Sequence, residues 1–286
     1  MHYAPTYPAG GNARTCWAPQ PDPGTVEANP GRGHTMRTHH IATVALTATA
    51  IAAATTAAHA TPPQPTPAVV APLKANPASP ALVKVTEVFN TMTATVYSHK
   101  YVENTTTGYY AWDCVGMTDW VLHQSTPNAW TAMHTTLSIR PGYVPSPTRW
   151  YQYLAGGNGK LPASWKRVTN IKGVAPGTYL LFPKHSKTRF VGHAVIAAGK
   201  PQRMTDGSYA LRVYDSTGTP HGPSDTRHTD PRTGANPPTT IGSGLGNGTM
   251  RLYVTETGAL KSARWSINAG GPAMKNVPVA AGIARN

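Results

Sequence analysis

The run Tyr109-Tyr110-Ala111-Trp112-Asp113-Cys114-Val115-Gly116-Met117-Thr118-Asp119-Trp120-Val121-Leu122 sets an aromatic-rich segment against the start of a helix. Aspartate is a favoured helix cap, because its carboxylate accepts from the free amides of the first turn. With Asp113 as cap, the helix runs from Cys114 to about Gln124, and the cysteine sits in its first turn. Free amides and the positive end of the helix dipole favour thiolate there, and thiolate is the nucleophilic form. The same amides can hydrogen-bond the oxyanion of a tetrahedral intermediate. Gly116 leaves room for another chain segment to approach closely.

Upstream of this run, Ser79-Pro80 opens an earlier helix, with serine as cap and proline in the first turn. Leu82, Val85, Phe89, Met92 and Val96 recur at helical spacing and bury one face of it. A third short helix follows Ser146-Pro147, with Trp150, Tyr151 and Leu154 on one side. Beyond Gly177 the pattern changes to short runs of branched and aromatic residues separated by Gly, Pro and Asn. These are 178–183, 189–198, 208–215, 250–256, 263–267 and 277–284, and they read as strands. Helices first and strands afterwards predict an α+β domain, its N-terminal helices packed on an antiparallel sheet of five or six strands. The Gly-, Thr- and Pro-rich stretch from about His221 to Asn247 reads as a loop.

Two of these strands carry ionisable residues. Val191-Gly192-His193-Ala194-Val195-Ile196 places a histidine at the start of an apolar strand, where it can face the helix end and take the thiol proton. Leu211-Arg212-Val213-Tyr214-Asp215 ends an alternating strand in an acid 22 residues later. One strand, a turn and a return strand fit that distance, which sets Asp215 beside His193 as the group that fixes the imidazole. The polar run from Asp215 to Arg227 is expected at the rim of the site, with Arg227 pairing either a substrate carboxylate or a local acid. His185, His221, His228, Asp225 and Asp230 show no compact zinc spacing, so no metal is expected.

The two ends look unlike the middle. Met36-Arg37 and two histidines lead into an apolar run from Ile41 to Ala54, then Ala58-His59-Ala60, the three-part pattern of a secretory signal peptide. At roughly 14 residues the run is short of the about 20 that a spanning helix needs. Residues 1–35, ahead of that signal, read as disordered or untranslated, and the Pro-rich residues 61–78 as a tether to a domain at 79–286. Export also leaves Cys114 as the lone cysteine, Cys16 being removed, so a disulfide framework within the chain is excluded.

Charge adds a partner class. The first 60 residues hold three of the 25 basic and two of the 11 acidic side chains, so the rest carries about +13. That balance favours anionic partners such as cell-wall polymers. The basic residues are scattered, without a basic helix or an aromatic-interleaved motif, so nucleic acid is not indicated.

The segments YYAWDCVGMTDWVL (109–122), APGTYLLFPK (175–184) and VGHAVIAAG (191–199) resemble the NlpC-type family of papain-like cell-wall cysteine peptidases, over roughly residues 105–220. The resemblance implies a papain-like fold, Cys114 as nucleophile, His193 as base and Asp215 as the third residue. It also implies Tyr109, Tyr110 and Asp113 at the substrate pocket, and no cofactor. Family members cleave amide bonds of peptidoglycan stem peptides, so the expected partner is peptidoglycan or another bacterial wall polymer. Three departures stand out: Val115 replaces the usual serine, Thr178 the usual aspartate, and His193 follows Cys114 by 79 residues. Two other readings fit the same residues: a transglutaminase-like acyltransferase, and a non-catalytic wall-binding protein on a degenerate hydrolase scaffold. If the export signal is cut after Ala60, mass spectrometry of the exported protein will find Thr61 at its N-terminus; a retained 36–60 segment overturns this reading.

Overall fold

Met92 and Val96 extend the apolar spacing of the first helix, yet the chain leaves helical geometry at Met92. In the computed structural model, which describes residues 79–157, 159–184, 191–234, 242–268 and 276–286, helix α1 spans Pro80–Thr91 and Val96 lies in strand β1, Ala94–Tyr97. The signal-type segment 36–60, the segments on either side of it and His185 lie outside the described residues. Ser79 precedes α1 as expected but does not cap it through its side chain; its hydroxyl donates to the Pro176 carbonyl, 2.6 Å away.

Strands β2 (Val102–Asn104) and β3 (Tyr109–Trp112) join β1 in a small sheet of order β1-β3-β2, in which β1 and β3 run parallel. Helix α2, Cys114–Ser125, follows at once, and its cap is the expected one: Asp113 accepts from the Gly116 amide at 2.7 Å. Gly116 also serves as expected, since a Cβ there would lie 2.4 Å from the Tyr101 ring. Helix α3, Pro127–Thr136, was not foreseen; it buries only Ala129 and Met133, too little apolar periodicity to read. Asp119 ties it to α2, accepting from the Trp130 indole at 3.0 Å and pairing with His134 at 2.8 Å. Helix α4, Pro147–Ala155, starts at Ser146, whose hydroxyl accepts from the Arg149 amide.

The main sheet has nine strands, not five or six. They are β4 (Trp165–Val168), β5 (Tyr179–Phe182), β6 (His193–Ala197), β7 (Gln202–Arg203), β8 (Tyr209–Thr217), β9 (Gly244–Val254), β10 (Leu260–Arg264), β11 (Val277–Pro278) and β12 (Ala280–Ala284). Their order is β11-β10-β9-β8-β6-β5-β12-β4, with β7 paired to β8, and every pairing is antiparallel. The architecture is therefore α+β with a large antiparallel sheet. Two short edge strands and the division of the last segment into β11 and β12 account for the extra members.

Alternation along the central strands divides the core. Ala194 and Ile196 of β6 pack with the buried faces of α1, α2, α3 and α4, while Val195 and Ala197 join Leu211, Val213, Met250 and Leu252 on the other side. Each large apolar side chain fully buried in this way contributes about 1.5–3 kcal/mol. The turn into β5 carries its own capping device. Gly177 takes a left-handed conformation at φ +83°, and the Thr178 hydroxyl accepts from the Ala175 amide at 3.0 Å. Thr178 thus closes the turn through its side chain.

Gly177 and Gly207 share this backbone conformation but differ in surroundings. An added Cβ would lie 1.9 Å from Ser79 Oγ at Gly177 and meet nothing within 4 Å at Gly207. Gly207→Ala should lose only about 1–2 kcal/mol to the left-handed backbone. Gly177→Ala should lose about 1–3 kcal/mol more, because Ser79 and the start of α1 must move. Urea unfolding of the two variants measures the difference; equal midpoints would contradict it.

Candidate functional site

His193 opens β6, and Asp215 lies near the end of β8. Their strands pair Ile196 with Tyr214 and Ala197 with Val213, and the same register continued sets Val195 opposite Asp215. Side chains alternate along a strand, so His193 shares the face of Asp215, on the diagonal. Its Nε2 lies 2.6 Å from Asp215 Oδ2. An ionised carboxylate can only accept, so the ring donates through Nε2–H and keeps a lone pair on Nδ1. That is the protonation state of a general base.

Asp215 is fully buried, and three further contacts surround it. His221 Nε2 lies 2.8 Å from the same Oδ2, and the Arg227 guanidinium donates to Oδ1 at 2.6 Å and also to the Asp215 main-chain carbonyl. The other guanidinium nitrogens donate to Asp225 Oδ2 and the Gly244 carbonyl, both at 2.8 Å. Asp225 in turn accepts from the His221 and Arg227 amides, which folds the loop after β8 into a 3-10 turn at Thr226–His228. Trp265 closes the cluster. Its indole donates to the Pro220 carbonyl at 3.0 Å, and its ring centroid lies 4.1 Å from that of His221 and 4.9 Å from that of His193.

Glycines on β9 leave the space these groups fill. A Cβ on Gly246 would come within 2.6 Å of the Arg227 side chain, and one on Gly248 within 2.4 Å of Asp225 Oδ2 and 2.8 Å of the His221 side chain. The signal that could have found this cluster was the alternation Gly244-x-Gly246-x-Gly248, a strand stripped of side chains on one face.

Cys114 approaches from the helical side. The Ser216 hydroxyl donates to the Trp112 carbonyl at 2.8 Å, tying the segment before Cys114 to the strand that carries Asp215. The amides of Ala194 and Val115 face the sulfur and favour its thiolate, so it rests against the residue next to His193. Among the described residues no hydrogen bond joins the sulfur to the imidazole. Cys114 is 5% exposed and His193 4%, so only a small edge of each reaches solvent.

Burial, with the Asp113 charge, pushes the Cys114 thiol well above its ordinary range, against the two amides. The depressed thiol expected from the helix start alone is therefore overturned: desolvation outweighs the local dipole. Burial likewise pushes His193 down; the Asp215 hydrogen bond and charge oppose this, and the charges of His221 and Arg227 add to it. Burial also works to raise the Asp215 carboxyl. There the Arg227 and His221 charges and the histidine hydrogen bonds prevail, holding it well below the usual carboxylate range.

The expected pocket residues divide. Asp113 gives one oxygen to the helix cap and the other to His99 Nδ1, 3.1 Å away. Tyr109 is half-buried. Tyr110 is buried, its ring stacked on Trp112 at 4.7 Å, so it belongs to the core rather than to a pocket wall. Arg227 takes the internal pairing with a local acid; its nitrogens are committed to Asp215, Asp225 and Gly244, which leaves no role with a substrate carboxylate. A tyrosine not foreseen, Tyr97, is half-buried at the site. Burial and then the charges of Cys114, Asp113 and Asp215 push its hydroxyl up, so it keeps its proton as a donor.

His193, Asp215 and His221 bring three metal-type ligand atoms within 4.8 Å of one another. The 2.6 and 2.8 Å contacts among these atoms are hydrogen-bond separations. His228 and Asp230 turn elsewhere, to the Gly222 carbonyl and Arg232.

No family model matches the chain. A protein of Acanthamoeba polyphaga mimivirus described as "Uncharacterized protein R653" is 27% identical over 118 residues, 36% of this chain and 48% of the viral one. The chain thus spans about half the length of that relative. No solved structure matches.

Asp215 has its folded value below its unfolded one, so its stabilising contribution is full above the unfolded value and is lost as pH falls through the folded one. Arg227→Met removes the first of the charges that hold Asp215 down and strands two buried carboxylates. It should cost about 3–5 kcal/mol at pH 7 and bring acid unfolding to higher pH. Urea titrations at pH 7 and pH 4 measure both; an unchanged acid limb would contradict the assignment.

Proposed function

We propose that the chain is an exported cysteine hydrolase that cleaves amide bonds through an acyl-enzyme, with peptidoglycan stem peptides as the substrate class. The observation that carries this reading is the His193–Asp215 pair, a ring with its Nε2 proton fixed on an ionised carboxylate, set one residue from the Ala194 amide that faces the Cys114 sulfur. In this reaction the Cys114 proton passes to His193 Nδ1 as the sulfur attacks the substrate carbonyl. Collapse of the tetrahedral intermediate breaks the C–N bond, and the amine leaves with the proton from His193. Water, deprotonated by His193, then opens the thioester and returns the thiol. Substrate closes the sulfur-to-imidazole contact, since catalytic hydrogen bonds tighten in the Michaelis complex. The Ala194 and Val115 amides at the sulfur are the natural oxyanion donors, with the Tyr97 hydroxyl nearby.

A second reading, a non-catalytic wall-binding protein on the same scaffold, is favoured by Val115 and by the burial of the sulfur. It would hold anionic wall polymers through the positive charge of the chain. Incubation with purified peptidoglycan and mass analysis of soluble products separates these readings. The hydrolase predicts free amine ends, a loss of at least roughly 1,000-fold in Cys114→Ala, and a similar loss in His193→Ala. An acceptor-linked product would indicate the acyltransferase. Wall retention that survives Cys114→Ala and is eluted by salt, with no product from wild type, would replace the hydrolase with the binding protein.

A further inference from the structure

We propose that His221 is a positioning residue which, as a doubly protonated ring beside Arg227, offsets the charge of Asp215 and keeps His193 and Cys114 a neutral imidazole–thiol pair until substrate arrives. This inference takes its catalytic meaning from the hydrolase reading, but its own observations are independent of turnover.

The argument begins with the proton count. His221 Nδ1 lies 2.7 Å from the Trp265 carbonyl, and Nε2 lies 2.8 Å from Asp215 Oδ2. A carbonyl oxygen and an ionised carboxylate both only accept, so both contacts are hydrogen bonds only if each ring nitrogen carries a proton. A ring lacking either proton would set a lone pair against an oxygen in a buried site and leave a hydrogen bond unmade.

Charge then decides the state of the pair. Two anions, Asp215 and Asp225, face two cations, Arg227 and His221, in one buried cluster. A lone carboxylate beside a catalytic histidine favours the imidazolium; here that carboxylate is already matched, and its field at His193 is cancelled at short range. The other titratable groups facing the pair are Asp113 next to Cys114, with exposed His99 on its outer oxygen, and the Tyr97 hydroxyl. Burial of both members adds to the preference for neutral forms. Asp215 therefore orients His193 without charging it, and His221 anchors the same carboxylate oxygen.

His221→Gln separates charge from hydrogen bonding, since the Gln amide can still donate to Asp215 while removing the cation. The expected result is the reverse of a damaged site. Iodoacetamide labelling of Cys114 against pH should move its inflection down, raising the rate at pH 7 by roughly three- to tenfold. The His193 ring should titrate higher by NMR. An inflection that stays or rises in folded His221→Gln would overturn the proposal. If the variant does not fold, nitrogen-15 ring labelling of wild type decides instead: signals from two protonated nitrogens of His221 support it, and a single protonated nitrogen overturns it. Neither readout requires turnover, so loss of activity in Cys114→Ala and the outcome here are separately legible.

Discussion

A carboxylate with no exposure to water constrains this structure more than any other single group. Asp215 can be ionised at that depth only if it is paired and fully hydrogen-bonded, because desolvating a bare charge costs several kcal/mol. Arg227, His193 and His221 supply that compensation. Each brings its own requirement. The guanidinium needs Asp225 and the Gly244 carbonyl, and His221 needs the Trp265 carbonyl. The loop after β8 folds back over β9 because that is where these partners meet, and β9 admits it because Gly246 and Gly248 carry no side chains.

The sheet separates two environments that the proposed chemistry has to join. On the helical side Cys114 belongs to an apolar core with Trp112, Met117 and Trp120. On the face of Val195 and Val213 the charged cluster lies under Trp265. The two meet at the start of β6, where His193 is the first residue of the strand and the Ala194 amide faces the sulfur. The small sheet built by β1, β2 and β3 serves the same junction. It carries Tyr97, delivers Trp112 to the Ser216 hydroxyl, and leads straight into the cap of α2.

Electrostatics at this junction run against the simplest picture of an activated thiol. A helix N-terminus and two amides favour the thiolate, but a sulfur with so little exposure loses more from desolvation than these dipoles return. Orientation of the imidazole and its charge are separate quantities here. The first comes from a short hydrogen bond, the second from the sum of all charges in the cluster.

Much of the framework was legible in the sequence. Asp113 as a cap, helices from Pro80, Cys114 and Pro147, and strands at 179–182, 193–197 and 209–217 follow from local capping chemistry and apolar periodicity, which neighbouring residues determine among themselves. The meeting of His193 with Asp215 was legible too, because antiparallel strands joined by a short return have a register fixed by the alternation of their side chains. Local signals failed where the deciding partner is distant in sequence. Val96 keeps helical spacing but pairs with Ala111 as a strand; residues 244–247 read as part of a loop but are held straight by β8; Tyr110 was assigned to a pocket and points inward, and of the two partners open to Arg227 the structure takes the local acids. His221 gained its place only through Trp265, 44 residues on, and Asp215. The sequence determined which residues could do chemistry and on which elements they ride. The tertiary structure decided their burial and net charge, because both are sums over neighbours that only packing brings together.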